Sequence, residues 1–159
     1  MKTLEELLTE NRMPHDKNSW QNPGNGLHGL LDFCTDHVTR ETVMAEIGSY
    51  VGASTELFAM HCKMIHAIDP WGRINESTET RYSPKEVLDD GDGTQRLFEE
   101  RMRPYDNVKM IKGFSLSVSE KFEDESLDLV YIDGDHGRIS VKNDALAWWP
   151  KVKYGGVLS

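Results

Sequence analysis

Ala45-Glu46-Ile47-Gly48-Ser49-Tyr50-Val51-Gly52-Ala53-Ser54-Thr55, followed by His66-Ala67-Ile68-Asp69, sets the architecture of this chain. An apolar run reads as a buried strand, the glycines as a turn, and Ser54 and Thr55 as the start of a helix. A second apolar run then ends in an acid. Gly48 and Asp69 stand about twenty positions apart, the interval at which dinucleotide-type folds place a carboxylate on ribose hydroxyls. Gly48 allows a sharp turn off the strand, and Gly52 lets backbone approach a ligand without a Cβ in the way. Ser54 or Thr55 is expected to cap the helix. The pattern points to an adenosine-bearing cofactor.

Working outward, Leu4-Glu5-Glu6-Leu7-Leu8 predicts a short amphipathic helix capped by Thr3. Residues 11–26 carry Pro14, Pro23, Gly24 and Gly26, and read as a loop or an ordered arm. A helix over 27–38 follows, with Leu27, Leu30, Leu31 and Cys34 on one face. Strands are expected over 42–48, 63–69, 107–113, 127–133 and 156–159, and helices over 54–61, 95–102, 115–122 and 138–149. Strands that alternate with helices imply parallel pairing and right-handed crossovers. The segment 70–93 is polar and turn-rich, and loops of that length are usually functional. Its run Asp89-Asp90-Gly91-Asp92-Gly93 lacks the ligand spacing and closing Glu of a calcium loop, and reads as a solvated turn.

The net charge of −9 over 159 residues argues against a nucleic-acid partner, which needs clustered Lys and Arg. Cys34 and Cys62, the only cysteines, form no close-spaced framework and favour a reduced, cytoplasmic setting. No apolar run reaches membrane-spanning length and the N-terminus has no signal-peptide core, so no membrane is expected. The chain ends in an apolar strand, Gly156-Val157-Leu158-Ser159. An uncovered apolar edge recruits other chains. The sequence therefore reads as cut short, or as having its last edge covered by an arm or a partner, a homodimer through that edge being one form.

Glu46-Ile47-Gly48-Ser49-Tyr50-Val51-Gly52 resembles the first motif (E-x-G-x-x-x-G) of the class I S-adenosylmethionine-dependent methyltransferases, and Asp69 the acid that closes their second strand. Leu129-Val130-Tyr131-Ile132-Asp133-Gly134-Asp135-His136, Ala147-Trp148-Trp149-Pro150 and Tyr154-Gly155-Gly156-Val157-Leu158 resemble the subgroup of small-molecule and sugar O-methyltransferases and cephalosporin-hydroxylase-type proteins. The resemblance spans 42–159. It implies a Rossmann-like, doubly wound α/β sheet of order 3-2-1-4-5, with the switch point between the first and fourth strands. The last two strands of the usual seven would then be lacking. A helical arm and cap over 1–41 would precede the S-adenosylmethionine-binding domain over 42–159, the whole making one domain.

A nicotinamide or flavin site is the competing reading of the turn. That fingerprint wants a second glycine where Tyr50 stands, and a tyrosine side chain would crowd a pyrophosphate. S-adenosylmethionine carries no phosphate. The turn from Gly48 through Ser49, Tyr50 and Gly52 to Ser54 and Thr55 is thus expected to hold the cofactor. Asp69 is poised to accept from the ribose, or is a solvated acid before Pro70. Glu46, costly in an apolar strand unless paired, helps position the cofactor by resemblance, or partners a loop or an Arg. Trp71 flanks the adenine or pins its loop. Phe114 and Ser115 match the place where such enzymes wall off adenine, and Ser115 is otherwise a helix cap.

Asp133, Asp135 and His136 gather at the mouth of the fourth strand, where parallel sheets bind ligands. Methyl transfer draws mainly on alignment, while a hydroxyl acceptor also needs a general base, for which Asp135 and His136 are the candidates. Asp133 is expected beside the cofactor, or as a Mg²⁺ ligand. Related metal-dependent enzymes draw further ligands from just beyond the fifth strand, and Asp133 with His136 alone makes a poor cage. The alternative is that Asp133 and Asp135 cap the next helix. His61, Cys62 and His66 should splay apart into ordinary packing, as should Met60, Met64 and Met110. Trp148 and Trp149 should pack a helix end on the sheet.

Methyl transfer to an oxygen of a small molecule or sugar is therefore the expected function. The rival from another class is a cofactor-binding domain without turnover that acts as an interaction module. A nicotinamide-dependent enzyme comes third.

Overall fold

Five strands line up in parallel in the order β3-β2-β1-β4-β5, with β1 (Val43–Ile47) in the middle. Its neighbours are β2 (Met64–Asp69) and β4 (Leu127–Ile132), with β3 (Val108–Lys112) and β5 (Val152–Leu158) outside them. This is the expected doubly wound order, and it puts the switch point between β1 and β4. The computed structural model describes residues 3–9, 27–72 and 93–159. The loop expected over 11–26 and the acidic run Asp89–Asp92 lie outside the described residues.

Period-two alternation sends each strand's side chains into two separate cores. Met44, Ile65 and Leu129 face one side, where they pack with Leu7, Cys34, Leu57, Phe58, Phe98 and Met102. Those residues come from α1 (Leu4–Thr9), α2 (His28–His37), α3 (Ala53–Ala59) and α4 (Thr94–Met102). Ala45, Ile47, Ile68 and Val130 face the other side, against Val118 of α5 (Ser115–Ser119) and Trp148 of α6 (Arg138–Trp148). Glu46 lies between core positions on the first face and is wholly buried.

The capping box at the N-terminus is as expected: Thr3 Oγ1 accepts from the Glu6 N–H, and Glu6 Oε2 accepts from the Thr3 N–H. Three local expectations are corrected. Helix α3 begins after Gly52 with no side-chain cap, because the Ser54 and Thr55 hydroxyls are drawn to Glu46 instead. α5 stops at Ser119, short of Phe122, whose ring packs on Trp148 and His66. β5 starts at Val152 rather than Gly156. Its register jumps from Leu127↔Val152 to Leu129↔Val157, so an irregularity takes up the glycine pair inside the strand. The paired tryptophans divide: Trp148 is fully buried, whereas Trp149, at the head of a 3₁₀ turn with Pro150, is mostly exposed.

Candidate cofactor site

Three chain segments meet at the carboxyl edge of the sheet. Gly48 N–H donates to the Ile68 carbonyl at 2.8 Å, and Asp133 N–H donates to the Ile47 carbonyl at 2.8 Å. Gly48 has φ +90°, and a Cβ there would lie 2.4 Å from the Asp133 carbonyl oxygen. Only glycine permits the turn to press so closely on the end of β4. Gly52 is also left-handed, at φ +82°, but a Cβ there would meet Phe98 Cδ2 at 2.9 Å and Met102 Cε at 3.0 Å. Packing against α4 by itself calls for glycine at that position.

Glu46 organises the underside of the turn. Its carboxylate accepts from Ser49 Oγ at 2.8 Å, from Ser54 Oγ at 2.5 Å and from Thr55 Oγ1. Burial pushes its pKa up to about 7, and Asp133 adds to that, while the three hydroxyls pull the other way. The partner of Glu46 is therefore a set of hydroxyls on its own turn and helix rather than an Arg.

Asp69 ends β2 half-buried. Its Oδ2 accepts from the Tyr50 N–H at 2.9 Å and its Oδ1 from the Trp71 N–H at 2.7 Å. Charge-assisted bonds of this kind fix the plane of a carboxylate. Trp71 is buried, its ring centroid 4.7 Å from that of Phe98, and its indole N–H donates to the Tyr50 carbonyl at 2.6 Å. Of the two roles expected for it, this geometry displays the pinning of the loop.

At the end of β4, Asp133 and His136 approach to 3.7 Å, the imidazole well exposed and the carboxyl partly covered. Partial burial raises the Asp133 pKa, and His136 opposes that rise. Asp135 is engaged differently: Oδ1 accepts from the Gly137 N–H at 2.9 Å and Oδ2 from Ser140 Oγ at 2.7 Å, an Asx-type start for α6. Of the capping expectation, Asp135 meets only the part about holding a backbone amide, since the N-cap of α6 is Gly137 and no side chain caps the helix, while Asp133 and His136 pair at the edge. Phe114 is the residue preceding α5, and Ser115 does not cap that helix. Ser115 Oγ accepts from Trp148 Nε1 at 2.9 Å and bonds the buried Asp144, whose pKa burial raises.

Asp144 and Phe98 were not legible as site-supporting residues. Asp144 stands four positions before Trp148 in α6, hence on the same face. A buried indole N–H in need of a partner was the available signal. His61, Cys62 and His66 separate as expected. His61 Nδ1 lies 2.8 Å from the Leu57 carbonyl, Cys62 joins the first core, and His66 stacks edge-on with Phe122 on the other face.

The edge thus presents Asp69 and Asp133 above a buried Glu46, a set of acceptors. Such a set suits a ribose diol and a cationic group, and is ill suited to a pyrophosphate. Among the described residues, no three His, Cys, Asp or Glu side chains gather as a metal site. Asp133 with its neighbour His136 offers two ligands, against the octahedral set of oxygens that Mg²⁺ takes.

The profile of the methyltransferase domain family matches residues 45–159, which is most of the chain and includes every segment just described. The chain belongs to that family. Solved structures place the methyltransferase domain among relatives of the same fold. A precorrin 8W decarboxylase from Methanobacterium thermoautotrophicum superposes with a TM-score of 0.58 at 17% identity, over 82% of this chain and 61% of that one. An rRNA methylase from Streptococcus thermophilus gives 0.59 at 14% identity, over 83% and 68%. The Haemonchus contortus phosphoethanolamine N-methyltransferase 1, solved with phosphoethanolamine and S-adenosylhomocysteine, gives 0.56 at 13% identity, over 77% and 22%. At these identities the likeness is one of fold. The methyltransferase domain spans less than two thirds of the decarboxylase and under a quarter of the N-methyltransferase. No curated protein matches the chain. Among the described residues, no helix of the domain is long and apolar enough to cross a membrane.

Proposed function

We propose that this domain transfers the methyl group of S-adenosylmethionine to an oxygen of a small molecule or sugar, in the manner of the O-methyltransferase and cephalosporin-hydroxylase-type subgroup. The observation that carries the reading is Asp69, held by two backbone N–H groups at the end of β2. The bound cofactor supplies an electrophilic sulfonium methyl. Asp69 grips the ribose diol, worth roughly 1.5–3 kcal/mol for bonds to a charged acceptor. Glu46, Ser49, Ser54 and Thr55 hold the Gly48–Gly52 turn in shape from below, and Phe114 borders the adenine side. His136, with Asp133 3.7 Å away to stabilise the imidazolium that forms, takes the proton of the acceptor hydroxyl, a contribution of about 10²–10⁴-fold. Asp135 sets the start of α6 and so the loop that carries His136.

Of the stretch before residue 42, α1 and α2 pack Leu7 and Cys34 into the first core of the cofactor domain and serve as its helical cap. The buried, unbridged Cys34 and Cys62 suit the reducing cytoplasm. Calorimetric titration with S-adenosylhomocysteine and with NAD tests the assignment: binding of the first alone is expected, and binding of NAD alone would reverse it. His136→Gln is expected to lower kcat by about 10²-fold or more while leaving S-adenosylhomocysteine affinity within about twofold.

A binding module without turnover is the second reading. It is favoured by β5, which among the described residues pairs only with β4 and carries a fully exposed Tyr154, Leu146 and Trp149 at the end of α6 being exposed as well. A dimer on sizing chromatography, with cofactor binding but no transfer to any acceptor, would select it.

A further inference from the structure

Three hydrogen bonds close a ring at the end of β2. The Tyr50 N–H donates to Asp69 Oδ2 at 2.9 Å, the Trp71 N–H to Asp69 Oδ1 at 2.7 Å, and the Trp71 indole N–H to the Tyr50 carbonyl at 2.6 Å. Two members of the ring are left-handed although neither is glycine: Tyr50 has φ 45° and Trp71 φ 39°. L-residues disfavour that region and persist there only where surrounding contacts impose it. A contact that joins both residues is the indole. It is 1% exposed and wedged against Phe98, the same α4 residue that fills the space behind Gly52.

A buried indole N–H needs an acceptor, and this one takes the backbone carbonyl of the cofactor turn. We propose that Trp71 is a positioning residue for cofactor binding, holding the Tyr50 peptide so that Asp69 keeps its carboxylate turned toward the ribose. Without the indole donor, Tyr50 relaxes toward negative φ and its N–H swings off Oδ2. Asp69 then loses one of the backbone bonds that orient it. This role differs from stacking on adenine, for which a buried indole offers no face. It rests on the reading of Asp69 as the ribose-binding acid.

The test is a double-mutant cycle read by S-adenosylhomocysteine calorimetry on the full chain, with thermal melts as a folding control. Trp71→Phe is expected to weaken binding about fivefold to tenfold, the size of one hydrogen bond. The Asp69→Asn/Trp71→Phe double variant is expected to bind no worse than Asp69→Asn, within about twofold, because both changes act through one carboxylate. Losses that multiply, or wild-type affinity in Trp71→Phe, overturn the positioning role while leaving the cofactor assignment intact. A wild-type protein that binds no S-adenosylhomocysteine overturns the cofactor assignment and this role with it. Should Trp71→Phe fail to fold, site-directed incorporation of benzothienylalanine at position 71 removes the N–H with the ring shape kept, and the same outcomes decide. Amide exchange at Tyr50 gives an independent readout: faster exchange is expected in either variant, and an unchanged rate contradicts the ring.

Discussion

Glu46 carries an acid inside a strand whose other residues are core, and its environment explains how that is tolerated. Three hydroxyls donate to the carboxylate, yet burial still lifts its pKa from 4.5 to about 7. The folded protein therefore holds this proton to a higher pH than the unfolded chain does. Stability is greatest below about pH 4.5 as far as this group is concerned, and falls as pH rises toward 7. The loss is on the order of 3 kcal/mol by linkage. Glu46→Gln, which cannot ionise, should flatten that descent. Urea melts at pH 5, 6, 7 and 8 are the check: a slope as steep as the wild type's would show that another group is responsible. The sequence showed that this acid needed a partner. It did not show which, because Ser54 and Thr55 are equally good helix caps, and only the inward face of α3 sends their hydroxyls to the carboxylate.

At the scale of elements, the turn between β1 and α3 rests on two glycines that look alike in sequence and differ in what lies behind them. Gly48 faces backbone, with the Asp133 carbonyl 2.4 Å from where a Cβ would sit. Gly52 faces the buried ring of Phe98 and the flexible end of Met102. Backbone at the centre of a sheet has no room to retreat, whereas the Met102 tip can move and the Phe98 ring can shift at some cost. Gly48→Ala is expected to cost about 3 kcal/mol or more, and Gly52→Ala about 1–2 kcal/mol, most of it from the left-handed backbone. Chemical denaturation of both variants reads the difference directly, and equal losses would show that φ alone matters. Strand and helix order was legible because each strand is an apolar run between turn signals. The boundaries of β5 were not, since Gly155 and Gly156 read as a turn until pairing with β4 absorbs them.

The whole molecule couples these pieces through one sheet edge. A ligand that bridges Asp69 and the β1 turn ties together segments that are remote in sequence, so its binding should stabilise the entire domain. S-adenosylhomocysteine at about a hundred times its Kd should contribute about 2.7 kcal/mol and raise Tm by roughly 5–10 °C for a domain of this size. Differential scanning calorimetry checks this, and a melt unmoved by saturating ligand would count against the site. Local patterning alone determined the alternation of strands and helices, the glycine turn and the acid about twenty residues beyond it, because these follow from backbone sterics and apolar periodicity. Packing determined the assignments those patterns left open. Glu46 met hydroxyls rather than an Arg, Trp71 turned into the core beside Phe98, and Asp135 closed on the start of α6 while His136 stayed beside Asp133. Each of those outcomes depends on which groups from distant segments arrive within hydrogen-bonding distance, and that is a property of the assembled sheet and its two helical layers.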